Sequence, residues 1–139
     1  MIRNNQKLHS IFLLMILFIF TASSLNAQQV EKHDKSHQLW TKNCLLRHNY
    51  KNKLIFTVTQ NENGVSWSAN NRKAFIKVFE GLVFDDAPSA KLRKDRIMKL
   101  ISNAPGGDHV VISSKLSSEI EALWKEVQAK AESIGVKCK

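Results

Sequence analysis

Cysteine is scarce in this sequence: Cys44 and Cys138 are its only two, and neither stands in a C-x-x-C or a metal-ligand spacing. That excludes a dithiol redox motif and a cysteine-built zinc site, both of which need closely spaced thiolates. Long hydrophobic runs are missing as well. The most apolar stretch, Ile11 to Phe20, spans ten residues, against the roughly 20 that a helix needs to cross a hydrocarbon core. There is no H-E-x-x-H, no G-x-S-x-G nucleophile elbow, no G-x-G-x-x-G and no Walker Lys-Ser/Thr, so the common zinc-protease, serine-hydrolase and nucleotide-binding fingerprints are all absent. Pro105-Gly106-Gly107-Asp108 offers backbone N–H groups to an anion but has none of those surroundings, and it reads as a turn. The chain also lacks internal repeats, low-complexity tracts and a second-domain linker.

What is present begins with a leader-like start. Arg3 and Lys7 form a positive n-region, Ile11 to Phe20 an apolar h-region, and Thr21 to Ala27 a run of mainly small or polar residues, the three parts of a secretory signal peptide over residues 1–27. Cleavage is expected after Ala27; because Leu25 is large for the third position before the cut, cleavage after Ser24, with Ala22 in that position, is the alternative. A membrane anchor is the rival reading and falls short on length. Cys44 is too distant from the apolar run to accept a lipid at a new N-terminus.

Removing residues 1–27 from 139 leaves 112, enough for one domain that buries more than roughly 60% of its unfolded surface. The formal net charge is +9, of which Arg3 and Lys7 supply two, leaving +7 on the exported part. That balance favours acidic partners without naming one. A secreted or periplasmic chain meets an oxidising environment, so a disulfide between Cys44 and Cys138 is expected, tying the first mature helix to the C-terminal tail. In the chain-entropy model it contributes roughly 4 to 5 kcal/mol. Free thiols or an intermolecular bridge are the alternative, and no membrane span remains once the leader is gone.

Gln28 to His37 is polar and has no apolar period; residues 28–38 read as a flexible arm ahead of a single domain over 39–139. Leu39, Trp40, Cys44, Leu45 and Leu46 predict a helix from Leu39 to Tyr50, with Ser36 as N-cap. A hairpin over 54–69 follows. Phe56 and Val58 alternate with Thr57 and Thr59, Asn63-Gly64 turns the chain, and Val65, Trp67 and Ala69 alternate with Ser66 and Ser68. Asn-Gly suits the positive φ angles of a type I′ turn. Asn70 and Asn71 can cap a helix with the stripe Phe75, Val78, Phe79 and Leu82, the alternative being a third meander strand over Phe75 to Phe84. Asp85-Asp86-Ala87-Pro88-Ser89 predicts the start of a helix over Ala90 to Asn103, capped by Ser89 or Asp86. Val110 to Ile112 is a short buried strand. The last helix starts at a Ser118–Glu121 capping box, stops at Gly135, and carries Ile120, Leu123, Trp124, Val127, Ala131 and Ile134 on one stripe. The order α-β-β-α-α-β-α predicts a small single α+β domain. Three or four helices pack on a short antiparallel sheet, the last of them long and amphipathic.

Three constellations carry candidate chemistry. His33 and His37 stand four apart, the spacing of two metal ligands on one helical face, although no third ligand is evident. His48 and His109, with Lys51 or Lys53 as the cation, are candidates for acid–base cleavage of a phosphodiester. Lys91, Arg93, Lys94, Arg96 and Lys99 gather positive charge on one predicted helix, suited to an acidic docking surface or a phosphate backbone; no aromatic residue between them can stack a base. Trp67 belongs to the core or, if it points outward, anchors a partner protein or sugar ring. The reading that follows is an exported basic binding protein, of inhibitor or immunity type, for an acidic envelope or secreted partner, with no cofactor. The alternatives are a small secreted hydrolase acting on RNA or another phosphodiester, and a binder of nucleic acid or another anionic polymer.

Overall fold

A computed structural model describes the backbone from Ile2 and the side chains from Gln28 onward; the expected leader, residues 1–27, lies outside the described side chains. Two compact units divide the chain, Met1–Ser36 and His37–Lys139. The elements are α1 (Ile2–Lys53), β1 (Phe56–Asn61), β2 (Gly64–Ala69), α2 (Arg72–Glu80), α3 (Pro88–Asn103), β3 (Val110–Ile112) and α4 (Ser114–Ser133). Four helices and a three-stranded antiparallel sheet of order β1-β2-β3 make the expected α+β fold.

Helix α1 corrects two expectations at once. Residues 28–38 are helical rather than irregular, and Ser36 lies inside the helix instead of capping it. Between Gln28 and Lys53 there is neither Gly nor Pro, so nothing interrupts the helical hydrogen-bond ladder. Glu31 and Lys35 add an i,i+4 ion pair at 3.1 Å. From Trp40 onward the helix turns a narrow stripe inward: Trp40, Asn43, Cys44 and Arg47 are buried, at the 3–4 residue spacing of one helical face.

The hairpin forms in the predicted register, with Phe56 opposite Ala69, Val58 opposite Trp67 and Gln60 opposite Val65. Its turn differs. Glu62 and Asn63 occupy the corner; among the described residues only glycines have positive φ, and in this turn it falls on Gly64, at 115°. A type I′ turn, which needs positive φ at both central residues, is therefore not formed; the positive φ falls on Gly64, which pairs directly with Asn61 just past the corner. Asn61 Oδ1 accepts the Asn63 N–H at 3.0 Å and steadies that corner.

After the hairpin the chain is helical as far as Glu80, and the residues from Gly81 to Phe84 are neither helix nor strand, so no third meander strand forms there. Asn71 Oδ1 accepts the Ala74 N–H at 3.0 Å, and Phe75, Val78 and Phe79 are buried at i, i+3 and i+4. At α3 the expected side-chain cap is missing: Ala87 holds the N-cap position and Pro88 the first turn. Proline tolerates that place because its absent N–H would have been orphaned anyway. Asp86 is engaged instead by the Trp40 indole N–H at 3.4 Å and by Lys130 at 3.8 Å. Helix α4 begins four residues before the expected box, where Ser113 accepts the Leu116 N–H at 3.1 Å. Its end is as predicted. Gly135 has φ 84°, its N–H donates to Glu132 O at 3.1 Å, and Val136 N–H donates to Ala131 O at 2.9 Å, which is the Schellman pairing.

Tyr50 centres the aromatic core, with ring centroids 5.4 Å from Phe56, 5.8 Å from Phe75, 5.7 Å from Phe79 and 5.2 Å from Trp124. Three polar clamps bind the elements around it. Asn43 is fully buried and meets Val83 twice, its Nδ2 donating to the carbonyl at 2.9 Å and its Oδ1 accepting the N–H at 3.2 Å. Arg47 donates to Gln128 Oε1 at 3.0 Å and to Lys139 O at 3.3 Å. Arg72 donates to the carbonyls of Ile101, Ala104, Gly107 and His109 at 2.6–3.1 Å and to that of Pro105 at 3.4 Å, fastening the end of α3 and the turn that follows it. The Cys44–Cys138 disulfide is present across 94 residues, Cα to Cα 5.0 Å, and fastens α1 to the tail.

Candidate functional site

In a pleated sheet directly opposed residues share a face, so the registers sort the side chains. Phe56, Val58, Gln60, Val65, Trp67, Ala69, Val110 and Ile112 fall on one face; Thr57, Thr59, Ser66, Ser68 and Val111 fall on the other. The second face is solvated and held by Thr57 Oγ1 to Ser68 Oγ at 2.7 Å and Thr57 to Asn70 Oδ1 at 3.1 Å. The first face is covered only at its base, where Ala69 and Val110 are fully buried. Towards the tip it is bare. Val58 is 51% exposed, Trp67 52% and Val65 60%.

Trp67 thus shares the face that buries Ala69 and Val110 but lies beyond that covered base, half-exposed. Beside it opens a cleft of about 370 Å³ lined by Tyr50, Lys51, Phe56, Trp67, Ile112 and Ser117. Burial pushes the Tyr50 hydroxyl up to about 12 from 10.0, so the phenol stays neutral and the cleft's one charged lining group is Lys51. Lys51 closes the last turn of α1, where a cation complements the helix dipole. The hairpin itself is nearly uncharged: from Leu54 to Asn71 the only ionisable side chain is Glu62, in a chain with 21 Lys and Arg. Apolar, aromatic-bearing and charge-poor is the composition of an interface core. A second cleft of about 260 Å³ lies between α1 and α2, floored by Leu46, Leu54 and Val78 and flanked by Lys53 and Lys77. Asn49 lines it, with a buried Oδ1 that has no hydrogen-bond partner among the described residues.

The basic helix is largely spoken for. Arg93 pairs with Glu119 at 2.8 Å and Glu126 at 3.2 Å, and Arg96 reaches Glu119 at 3.5 Å. Lys94 Nζ donates to Leu82 O at 2.6 Å and to Glu80 O at 3.4 Å, capping the chain that leaves α2. Lys91 and Lys99 are exposed and stand in no ion pair among the described residues. Three of the five cations therefore fasten α3 to its neighbours.

The histidines stand in separate settings. His48 is exposed on α1 with Asn52 Nδ2 3.1 Å from its Nδ1, whereas His109 is exposed in the turn before β3, its N–H donating to Gly106 O at 3.0 Å. Neither lines either cleft. Lys51 and Lys53, their expected cations, fall one in each cleft. His33 and His37 are exposed on α1; among the described residues no group of three or more His, Cys, Asp or Glu is placed to hold a metal ion. Among those residues, too, no helix is long and apolar enough to cross a membrane. Sequence reasoning named Trp67 but not the cleft beside it, because Tyr50 and Ser117 come from helices far apart in the chain. Compared with known protein families, with curated proteins and with solved structures, the chain finds no match in any of the three.

Proposed function

We propose that this chain is a small, exported, non-enzymatic binding protein that docks an acidic protein partner of the envelope or secreted space through the bare face of its hairpin, as an inhibitor or immunity-type protein does. The observation that carries the proposal is the contiguous exposed set Val58, Val65 and Trp67 beside an aromatic cleft. Exposing three large apolar side chains on adjacent strands costs solubility unless something covers them, and tryptophan is enriched among the residues that anchor protein interfaces. Lys51 in the cleft, and the +9 charge of the whole chain, favour a partner whose apolar anchor is flanked by carboxylates. Export is supported by the leader-like start and by the disulfide, a bond that persists in oxidising compartments. The hydrolase reading draws no support from the separate settings of His48 and His109. Polymer binding draws little, since Arg93, Lys94 and Arg96 are already engaged.

The test is affinity capture by the disulfide-intact chain from an extracytoplasmic fraction, at low and high salt, beside a Trp67→Ala variant. One stoichiometric protein that survives high salt and is lost with Trp67→Ala is the expected result. Recovery of salt-labile nucleic acid or glycan alone, unaffected by the substitution, would overturn it.

A further inference from the structure

Strand β1 lies at the edge of the sheet, since the order is β1-β2-β3. One line of its backbone N–H and C=O groups pairs with β2; the other line has no strand beside it. Edge strands are ordinarily guarded against further pairing by lysines, prolines, bulges or a covering loop. Phe56-Thr57-Val58-Thr59-Gln60-Asn61 contains no charge and no proline, and its pairing with β2 runs without interruption from Phe56 to Asn61. All of it beyond Phe56 is exposed. A chain with 21 basic residues has placed none of them in this strand.

We infer that β1 is the site of strand addition: an extended segment of the partner pairs along the β1 edge, its alternate apolar side chains continuing the Val58 and Trp67 face and acidic residues flanking the paired stretch. This rests on the docking reading above and specifies its mode. Main-chain pairing supplies affinity, and the face supplies selection of every second side chain. The flanking charge follows from Lys51 and Lys53, both in the last turn of α1 and hence just ahead of the Phe56 end of the strand. A second copy of this chain is the poorer occupant, because each exported copy carries the same net charge of +7 and like-charged surfaces repel.

The probe is a displayed dodecapeptide library selected on the disulfide-intact chain. The selected peptides should show period-two apolar residues with Asp or Glu at an end. They should protect alternate β1 amides from hydrogen exchange. N-methylating alternate residues along the edge that faces β1 should weaken binding by about tenfold or more, while the same change on the outer edge alters it by less than about twofold, since only the first removes main-chain hydrogen bonds. Equal effects of the two methylation patterns overturn strand addition. If binding is then still lost with Trp67→Ala, the docking face stands and only its mode is wrong; if that variant also binds normally, both readings fall. Protection of β1 that grows with protein concentration in the absence of peptide overturns the partner in favour of self-pairing.

Discussion

Reducing the Cys44–Cys138 bond should nearly halve the stability of a typical domain of this size. The two residues are 94 apart, and a cross-link closing a loop of that length restricts the unfolded chain by about 4.7 kcal/mol in the entropy model. Little opposes that gain in the folded state, where Cys44 is already buried by the packing of α1 and the tail is separately anchored through Arg47 to Lys139 O. Domains of this size are stable by only about 5 to 15 kcal/mol in total. With a guanidinium m-value of about 3 kcal/mol per molar, the unfolding midpoint should fall by roughly 1.5 M when both cysteines become alanine or when the bond is reduced. Tryptophan fluorescence reports the transition, because Trp40 and Trp124 are buried in the core. The double alanine variant should match the reduced wild type. A midpoint unchanged within about 0.3 M would refute the argument, showing either that the unfolded chain is already compact or that the bond is not made in solution.

Other consequences follow from single side chains. Arg72→Ala removes a donor from five carbonyls at the end of α3 and in its following turn, of which Ile101 O and Pro105 O keep a backbone N–H, and should cost about 2 to 4 kcal/mol in a denaturant melt; Arg72→Lys should recover less than about half, since an ammonium cannot reproduce the planar fork. Gly106→Ala should cost at least about 2 kcal/mol, because φ there is 120° and a Cβ would stand 2.6 Å from His109 O; a thermal midpoint equal to wild type would contradict this. Tyr50 is the only tyrosine, so phenolate absorbance titrates it alone and should show an apparent pKa of about 12 in the folded chain and near 10.0 when unfolded. Between those values the unfolded state has lost a proton that the folded state keeps, so stability should decline as pH rises, by about 2 to 3 kcal/mol in all; a phenol titrating near its ordinary value would remove the effect.

How much of this was legible in the sequence depended on how local the cause was. The hairpin register follows from strict alternation, and the end of α4 follows from one glycine with a hydrophobic partner on each side. The disulfide needed only two cysteines and a compartment. Capping was read less well because several serines and aspartates compete at each boundary. Ser113 rather than Ser118 starts α4, and only the burial of Leu116 decides between them. The charge on α3 illustrates the limit most plainly. Nothing local says that Arg93 meets Glu119 and Glu126, 26 and 33 residues away, and without those partners a structural cluster reads as a binding face. Arg72 was silent for the same reason: its five acceptors are backbone carbonyls, which carry no sequence signal. Trp67 was visible as a strand residue, but which face of the sheet stays bare is settled by how far the helices reach along it.

The most direct test of the docking face is site-specific photocrosslinking in living cells, with the photoreactive residue placed at Val65, 60% exposed beside Trp67 on the bare face, in one chain and at Lys91, exposed on α3, in another. Docking through the hairpin predicts one discrete crosslinked protein from position 65 and none from position 91. Crosslinks from 91 with none from 65 would contradict it and return the binding surface to the basic helix.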